Sequence, residues 1–106
     1  MNSNMQNITV EELKQRMDAG EKIQLVDVRE PAENIEFNIG GTLLPLGKIQ
    51  MMQVDDIEDF KDQELVFYCR SGNRSGQAAL FLEAMGFKNV KNLTGGMLAW
   101  KEKFGG

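Results

Sequence analysis

The run Leu65-Val66-Phe67-Tyr68 limits this chain more than any other feature. It is four consecutive β-compatible apolar residues with no polar residue between them. A strand with one wet face alternates apolar and polar positions, whereas a strand covered on both faces does not. The run therefore reads as a buried strand of a parallel sheet. What surrounds it must supply other strands and helices to cover both faces.

The rest of the chain supplies them in alternation. Ile8-Thr9-Val10-Glu11-Glu12-Leu13 opens a helix, with Thr9 as N-cap, Glu12 completing a capping box, and Ile8 and Leu13 as the flanking staple. Val10, Leu13 and Met17 share a face, and Gly20 ends the helix. Ile23–Val28 reads as a strand, and Pro31 starts a short helix containing Ala32 and Ile35. Gly40-Gly41 is a turn, Thr42–Leu44 a short strand stopped by Pro45, and 48–60 one or two short helices. A helix from Ser75 carries Ala78, Phe81, Leu82 and Met85 on one stripe. Gly86 follows as its C′ residue, with Phe87 packing back on Leu82. Val90–Leu93 is a last strand, and Met97, Trp100 and Phe104 mark a C-terminal amphipathic helix. This pattern specifies an α/β domain with a mainly parallel sheet.

Composition narrows the function. At 106 residues the chain is read as a single domain, 1–106, with a modest core. Its net charge of -4 and scattered basic residues argue against a nucleic-acid binder. The polar Met1–Asn7 stretch lacks the charged and apolar regions of a signal peptide, and no apolar run reaches membrane-spanning length. With one cysteine, no internal disulfide is possible, and the cytoplasm is the expected location. No histidine and one thiol leave a soft metal almost no ligands, so neither metal nor other cofactor is expected. Any catalysis must proceed without imidazole.

The single cysteine follows the buried strand directly, in Cys69-Arg70-Ser71-Gly72-Asn73-Arg74-Ser75. A lone cysteine is most often a small buried hydrophobe. The sequence after this one points elsewhere. In open α/β sheets, ligands bind beyond the carboxyl ends of the strands. Successive N–H groups of a tight loop, and a helix N-terminus behind it, favour an anion. Arg70 and Arg74 add positive charge, Gly72 permits conformations closed to other residues, and Asn73 tolerates the left-handed region. Free cysteine has a pKa of about 8.5, and such surroundings lower it to roughly 3.5–7.5. Cys69 is thus a candidate thiolate nucleophile.

This loop resembles the active-site loop of rhodanese-like sulfurtransferases. Two further segments share the resemblance: Val26-Asp27-Val28-Arg29-Glu30-Pro31, and Leu93-Thr94-Gly95-Gly96-Met97-Leu98-Ala99-Trp100. The three together cover nearly the whole chain in the family's order. The resemblance implies a three-layer fold with a five-stranded, mainly parallel sheet flanked by helices. It implies a ping-pong reaction in which Cys69 takes a sulfane sulfur from thiosulfate or another donor and passes it to cyanide or a thiol. The N–H groups of Arg70, Ser71, Gly72, Asn73, Arg74 and Ser75 would cradle the persulfide. Arg70 would attract the anionic donor, and Arg74 would either face the pocket or brace the loop. The partners are then small-molecule sulfur donors and acceptors, or a protein thiol, with neither nucleic acid nor membrane.

Two other readings compete. Four residues separate Cys69 from Arg74, whereas related phosphatase and arsenate-reductase loops have five. The shorter ring suits a single sulfur better than a tetrahedral phosphate. A persulfide carrier or docking module for a partner enzyme would use the same chemistry with a protein acceptor. One segment departs from the family: Phe37-Asn38-Ile39-Gly40-Gly41-Thr42 stands where many members read Gly-His-Ile-Pro-Gly-Ala. Some rhodanese domains attached to sulfur-activating enzymes share the Ile-Gly-Gly variant, which bears on the local turn and on substrate preference. Elsewhere the expectations are structural. Asp27 and Arg29 form a hydrogen-bond and ion-pair hub, and Gly95-Gly96 permits close helix approach near the loop. Trp100 is core or pocket wall, the seven methionines fill packing gaps, and Lys101-Glu102-Lys103 is a solvated helix face.

Overall fold

The fold is taken from a computed structural model that describes residues 5–105. Residues 1–4 of the polar Met1–Asn7 stretch, and Gly106, lie outside the described residues. Five strands form one sheet: β1 (Gln6–Ile8), β2 (Gln24–Asp27), β3 (Thr42–Leu43), β4 (Glu64–Tyr68) and β5 (Asn89–Leu93). Their order is β1-β5-β4-β2-β3, and every pairing is parallel. The helices are α1 (Val10–Asp18), α2 (Pro31–Glu36), α3 (Leu46–Gln50), α4 (Asn73–Ala84) and α5 (Gly96–Phe104), with a 3-10 turn over Asp55–Phe60. Among the described residues no helix is long and apolar enough to cross a membrane.

β4 lies at the centre of the sheet, and its side chains divide between two cores. Leu65, Phe67 and Cys69 join Ala78, Ala79 and Leu82 of α4, Ile49 of α3 and Ile57. Val66 and Tyr68 join Val10 and Leu13 of α1 with Met97 and Trp100 of α5. This is the two-residue period of a strand acting on an all-apolar run. The same period carries one residue beyond the strand and puts Cys69 on the α4 side.

Local signals hold at most element ends. Thr9 Oγ1 accepts the Glu12 N–H at 3.1 Å, and Glu12 Oε1 accepts the Thr9 N–H at 3.0 Å, closing the expected capping box. The Phe87 N–H donates to Leu82 O at 3.0 Å and the Gly86 N–H to Glu83 O at 3.0 Å, a Schellman ending with Phe87 buried. Three features differ from expectation. Gln6–Ile8 is an edge strand beside β5, so Ile8 belongs to the sheet as well as to the start of α1. α4 begins at Asn73, two residues before Ser75. Met51 and Met52 are exposed rather than packed, and Met52 has a φ of 61°.

The strand order places a crevice between β2 and β4. After β2 the chain runs to β3 on one side, and after β4 it runs to β5 on the other. A crevice opens where two such connections diverge. At its floor Asp27 Oδ1 accepts from Arg29 Nε at 2.8 Å and from the Arg29 N–H at 3.1 Å. Asp27 Oδ2 accepts from Arg29 at 2.8 Å and from Asn34 at 2.9 Å. The Arg29 guanidinium also donates to Phe37 O at 2.6 Å. Both side chains are buried, so this pair fixes the exit from β2 and the C-terminal half of α2. Asp27→Asn leaves a buried guanidinium uncompensated and is expected to lower unfolding stability by about 3–5 kcal/mol, read by urea titration.

Candidate active site

α4 begins without a side-chain cap. Its N-cap is Gly72, whose φ of 100° lies in the left-handed region, and no side chain there accepts a helix N–H. The first N–H groups of a helix have no partner within the helix. Here the sulfur of Cys69 takes that place. Sγ accepts from the Gly72 N–H at 3.1 Å and from the Ser75 N–H at 3.4 Å, and Ser75 Oγ also lies at 3.4 Å. Cys69 is only 1% exposed.

These donors oppose the effect of burial on the thiol. Burial alone would push the Cys69 thiol up. The Ser75 hydroxyl and the N–H groups of Ser75, Gly72 and Ser71 outweigh burial and hold it below its ordinary value. The arrangement is a cysteine sulfur ringed by hydrogen-bond donors at a helix N-terminus, surroundings that favour the thiolate with no imidazole involved.

The loop is gripped from behind by α5. The Met97 N–H donates to Cys69 O and the Leu98 N–H to Arg70 O, both at 2.9 Å. The unpartnered N–H groups of one helix thus satisfy the carbonyls of the loop. Such an approach leaves no room at Gly96. A Cβ there would sit 2.4 Å from Cys69 O and 2.7 Å from Arg70 O. This is the close helix approach expected of Gly95-Gly96.

The two arginines separate. Arg70 is exposed and lines a cleft of about 240 Å³ with Arg29, Glu33, Phe37, Met97 and Lys101. Arg74 is braced: its guanidinium donates to both carboxylate oxygens of Glu33 at 2.9 Å, tying α4 to α2. The Arg74 hydrogen bonds hold the Glu33 carboxyl well below its usual value, at about 2, against the opposing effect of burial. Ser71 and Asn73 are exposed, and Asn73 is the first helical residue rather than the left-handed one, a role Gly72 takes. Lys101, Glu102 and Lys103 are exposed as expected, although Lys101 also lies 4.8 Å over the Phe37 ring at the cleft wall. Trp100 is core, with Phe104 edge-on to it at 5.0 Å.

Three residues at the site escaped the sequence reading. Glu33 is 41 positions from Arg74, and nothing local links them. Tyr68, read only as strand, donates through its hydroxyl to Gly40 O at 2.9 Å and accepts the Ile39 N–H at 3.4 Å. It thereby holds the turn where the chain departs from the common pattern. Asn92 is buried beside Ser75, and in a strand that mixes polar and apolar residues nothing in the sequence marked it.

Comparison with known proteins agrees with this fold. The rhodanese-like domain model matches residues 9–103, so the chain belongs to the rhodanese-like family. It is similar to a protein named sulfurtransferase from Allochromatium vinosum, with 43% identity over 94 residues, 88% of this chain and 85% of that one. Among solved structures it is similar to a rhodanese-like domain protein from Staphylococcus aureus. That match has a TM-score of 0.79 and 31% identity, over 91% of each chain. A human single-domain sulfurtransferase gives a TM-score of 0.76 at 25% identity, over 92% of this chain and 96% of that one.

Two outcomes follow from the charges. The pH at which Cys69 alkylation by iodoacetamide reaches half its maximal rate is expected below the free-thiol value of about 8.5, returning there in denaturant. Glu33→Gln is expected to cost no more than about 1 kcal/mol in urea at pH 7, because the pair is partly solvated. The Glu33 carboxyl is depressed when folded, so its contribution is complete above the unfolded value of 4.5 and fades toward about 2. The difference between parent and variant should close over that interval.

Proposed function

We propose that this rhodanese-like domain is a sulfurtransferase that carries a sulfane sulfur on Cys69 as a persulfide. One observation supports this above the others: Sγ sits at 3.1 and 3.4 Å from the N–H groups of Gly72 and Ser75, within a short loop that closes directly on it. Four residues separate Cys69 from Arg74, and Arg74 is already committed to Glu33.

In the first half-reaction the Cys69 thiolate attacks the outer sulfur of a sulfane donor such as thiosulfate. A bond forms between Sγ and that sulfur. The donor's sulfur–sulfur bond breaks, and its electron pair leaves with sulfite. In the second, cyanide or a thiolate attacks the outer sulfur, and the Sγ–S pair returns to Cys69. Because no histidine exists, neither step has an imidazole to move protons. The chemistry needs none, since nucleophile and leaving groups are anions throughout.

The residues take distinct parts. Cys69 carries the sulfur. The N–H groups of Arg70, Ser71, Gly72, Asn73, Arg74 and Ser75 receive the negative outer sulfur. Arg70, exposed at the cleft, draws in the anionic donor. Arg74 acts indirectly, by fixing the start of α4 against α2. A sulfur as buried as this one admits only a slim reacting group, which suits one sulfur atom better than a bulky ester.

Intact mass spectrometry tests the reading. Thiosulfate should add one sulfur atom to the chain, cyanide should remove it as thiocyanate, and Cys69→Ser should take up none. Arg70→Ala should raise the KM for thiosulfate about tenfold while sparing the discharge by cyanide, since a surface charge acts mainly on capture. Loading by a persulfide donor but not by thiosulfate would favour a carrier serving a protein acceptor. No adduct from any sulfane donor, or Cys69-dependent turnover of an aryl phosphate, would overturn the proposal.

A further inference from the structure

Behind the sulfur lies a short buried chain of polar groups that a thiolate cradle does not require. Ser75 Oγ stands 3.4 Å from Cys69 Sγ and 2.5 Å from Asn92 Oδ1. Ser75 is fully buried and Asn92 is 8% exposed. The orientation of the amide is fixed by its other end, where Asn92 Nδ2 donates to Gly72 O at 3.1 Å. Reversing the amide would set its oxygen against the Gly72 carbonyl, so Oδ1 is the atom that faces Ser75. A hydroxyl has one proton and here has two acceptors.

We propose that Asn92 is a positioning residue whose amide oxygen shares the Ser75 hydroxyl proton with Cys69. The proton turns to the sulfur when Sγ is anionic and back to Asn92 when Sγ is neutral. This rests on Cys69 as the sulfur carrier for its second half only; the thiol and thiolate states stand without it.

The exchange follows from the charge on Sγ at each stage. In the thiolate the charge is on Sγ, and the hydroxyl gains most by donating there. In the persulfide the charge moves to the outer sulfur, and Sγ becomes a weak acceptor bonded to carbon and sulfur. A buried hydroxyl with no other partner would then be stranded, which is costly. Asn92 Oδ1 receives it instead. No bond to carbon or sulfur is made or broken, and the proton stays on Ser75 Oγ throughout. Asn92 therefore favours the states with neutral Sγ, both thiol and persulfide, and keeps the loaded sulfur from being lost too readily.

The charged groups around the sulfur do not change in this exchange. They are Arg70 in the loop, Arg74 with Glu33 of α2, the Asp27–Arg29 pair at the end of β2, and Glu36 and Lys101 lining the same cleft from α2 and α5. On β5, Lys91 is engaged with Glu64. A substitution at Asn92 thus reads the hydroxyl and not a new charge.

A double-mutant cycle on Cys69 alkylation tests this. Asn92→Leu leaves the hydroxyl only the sulfur, so alkylation at pH 6 should rise about threefold or more, and the pH midpoint should fall. Ser75→Ala should raise the midpoint, and Asn92→Leu added to it should then change nothing. A midpoint that rises in Asn92→Leu, stays fixed, or shifts equally in the Ser75→Ala background would overturn the proposal. Such results would leave Asn92 only a brace for Gly72. The unsubstituted chain gives a second reading should Asn92→Leu not fold. The Asn92 13Cγ resonance should move with the Cys69 titration, and this movement should be absent in Ser75→Ala; a stationary resonance overturns the proposal. A non-additive cycle with no persulfide from any donor would sink the sulfur-transfer reading and leave the shared proton standing. An additive cycle with normal persulfide loading would do the reverse.

Discussion

A helix without a side-chain cap and a buried sulfur satisfy each other, and much of this structure is arranged to bring them together. The N-terminus of α4 presents N–H groups that nothing in the helix can accept, and Gly72 offers no side chain to do so. Sγ of Cys69 fills the position an aspartate or serine side chain usually holds. A sulfur accepts hydrogen bonds better as an anion, so these donors favour the charged form. The loop N–H groups therefore hold the helix start and lower the thiol pKa with the same hydrogen bonds. Substituting the cysteine changes the helix start as well as the chemistry.

The rest of the fold keeps that meeting point rigid. β4 is the central strand, buried on both sides, and its alternation delivers Cys69 to the α4 face without any special turn. α5 reaches over from the opposite layer, and two of its N–H groups bind the carbonyls of Cys69 and Arg70. The approach is possible because residue 96 has no Cβ. From the third side the Glu33–Arg74 pair ties α4 to α2, and the Asp27–Arg29 hub ties α2 to the sheet. The arginines that look alike in the loop sequence thus divide between a structural tie and an exposed charge.

The sequence carried the central part of this plainly and the margins poorly. The unbroken Leu65–Tyr68 run identified its strand because burial on both faces leaves no polar position. The capping box at Thr9 and the Gly86–Phe87 ending were legible because each is a local motif with all its partners within six residues. β1 was not, since it has three residues, two of them exposed, and its only buried residue, Ile8, serves equally as a helix staple. The direction of Arg74 was undecidable from the loop alone because its partner lies on another helix. Asn92 was hidden for a similar reason. In sequence it is one polar residue in a mixed strand, and only the sheet register shows that it stands behind Ser75.

The absence of histidine gives these long-range pairs their weight. An enzyme with imidazole can adjust a thiol by moving a proton between two titrating groups. This chain has none, and the groups that lower the Cys69 thiol do not titrate with it: peptide N–H groups and a hydroxyl. Such groups cannot supply or remove a proton. A site built this way suits a reaction in which charge passes from one sulfur to the next and no proton need be transferred. The hydroxyl of Ser75, placed between sulfur and amide oxygen, can rotate where the peptide N–H groups beside it cannot.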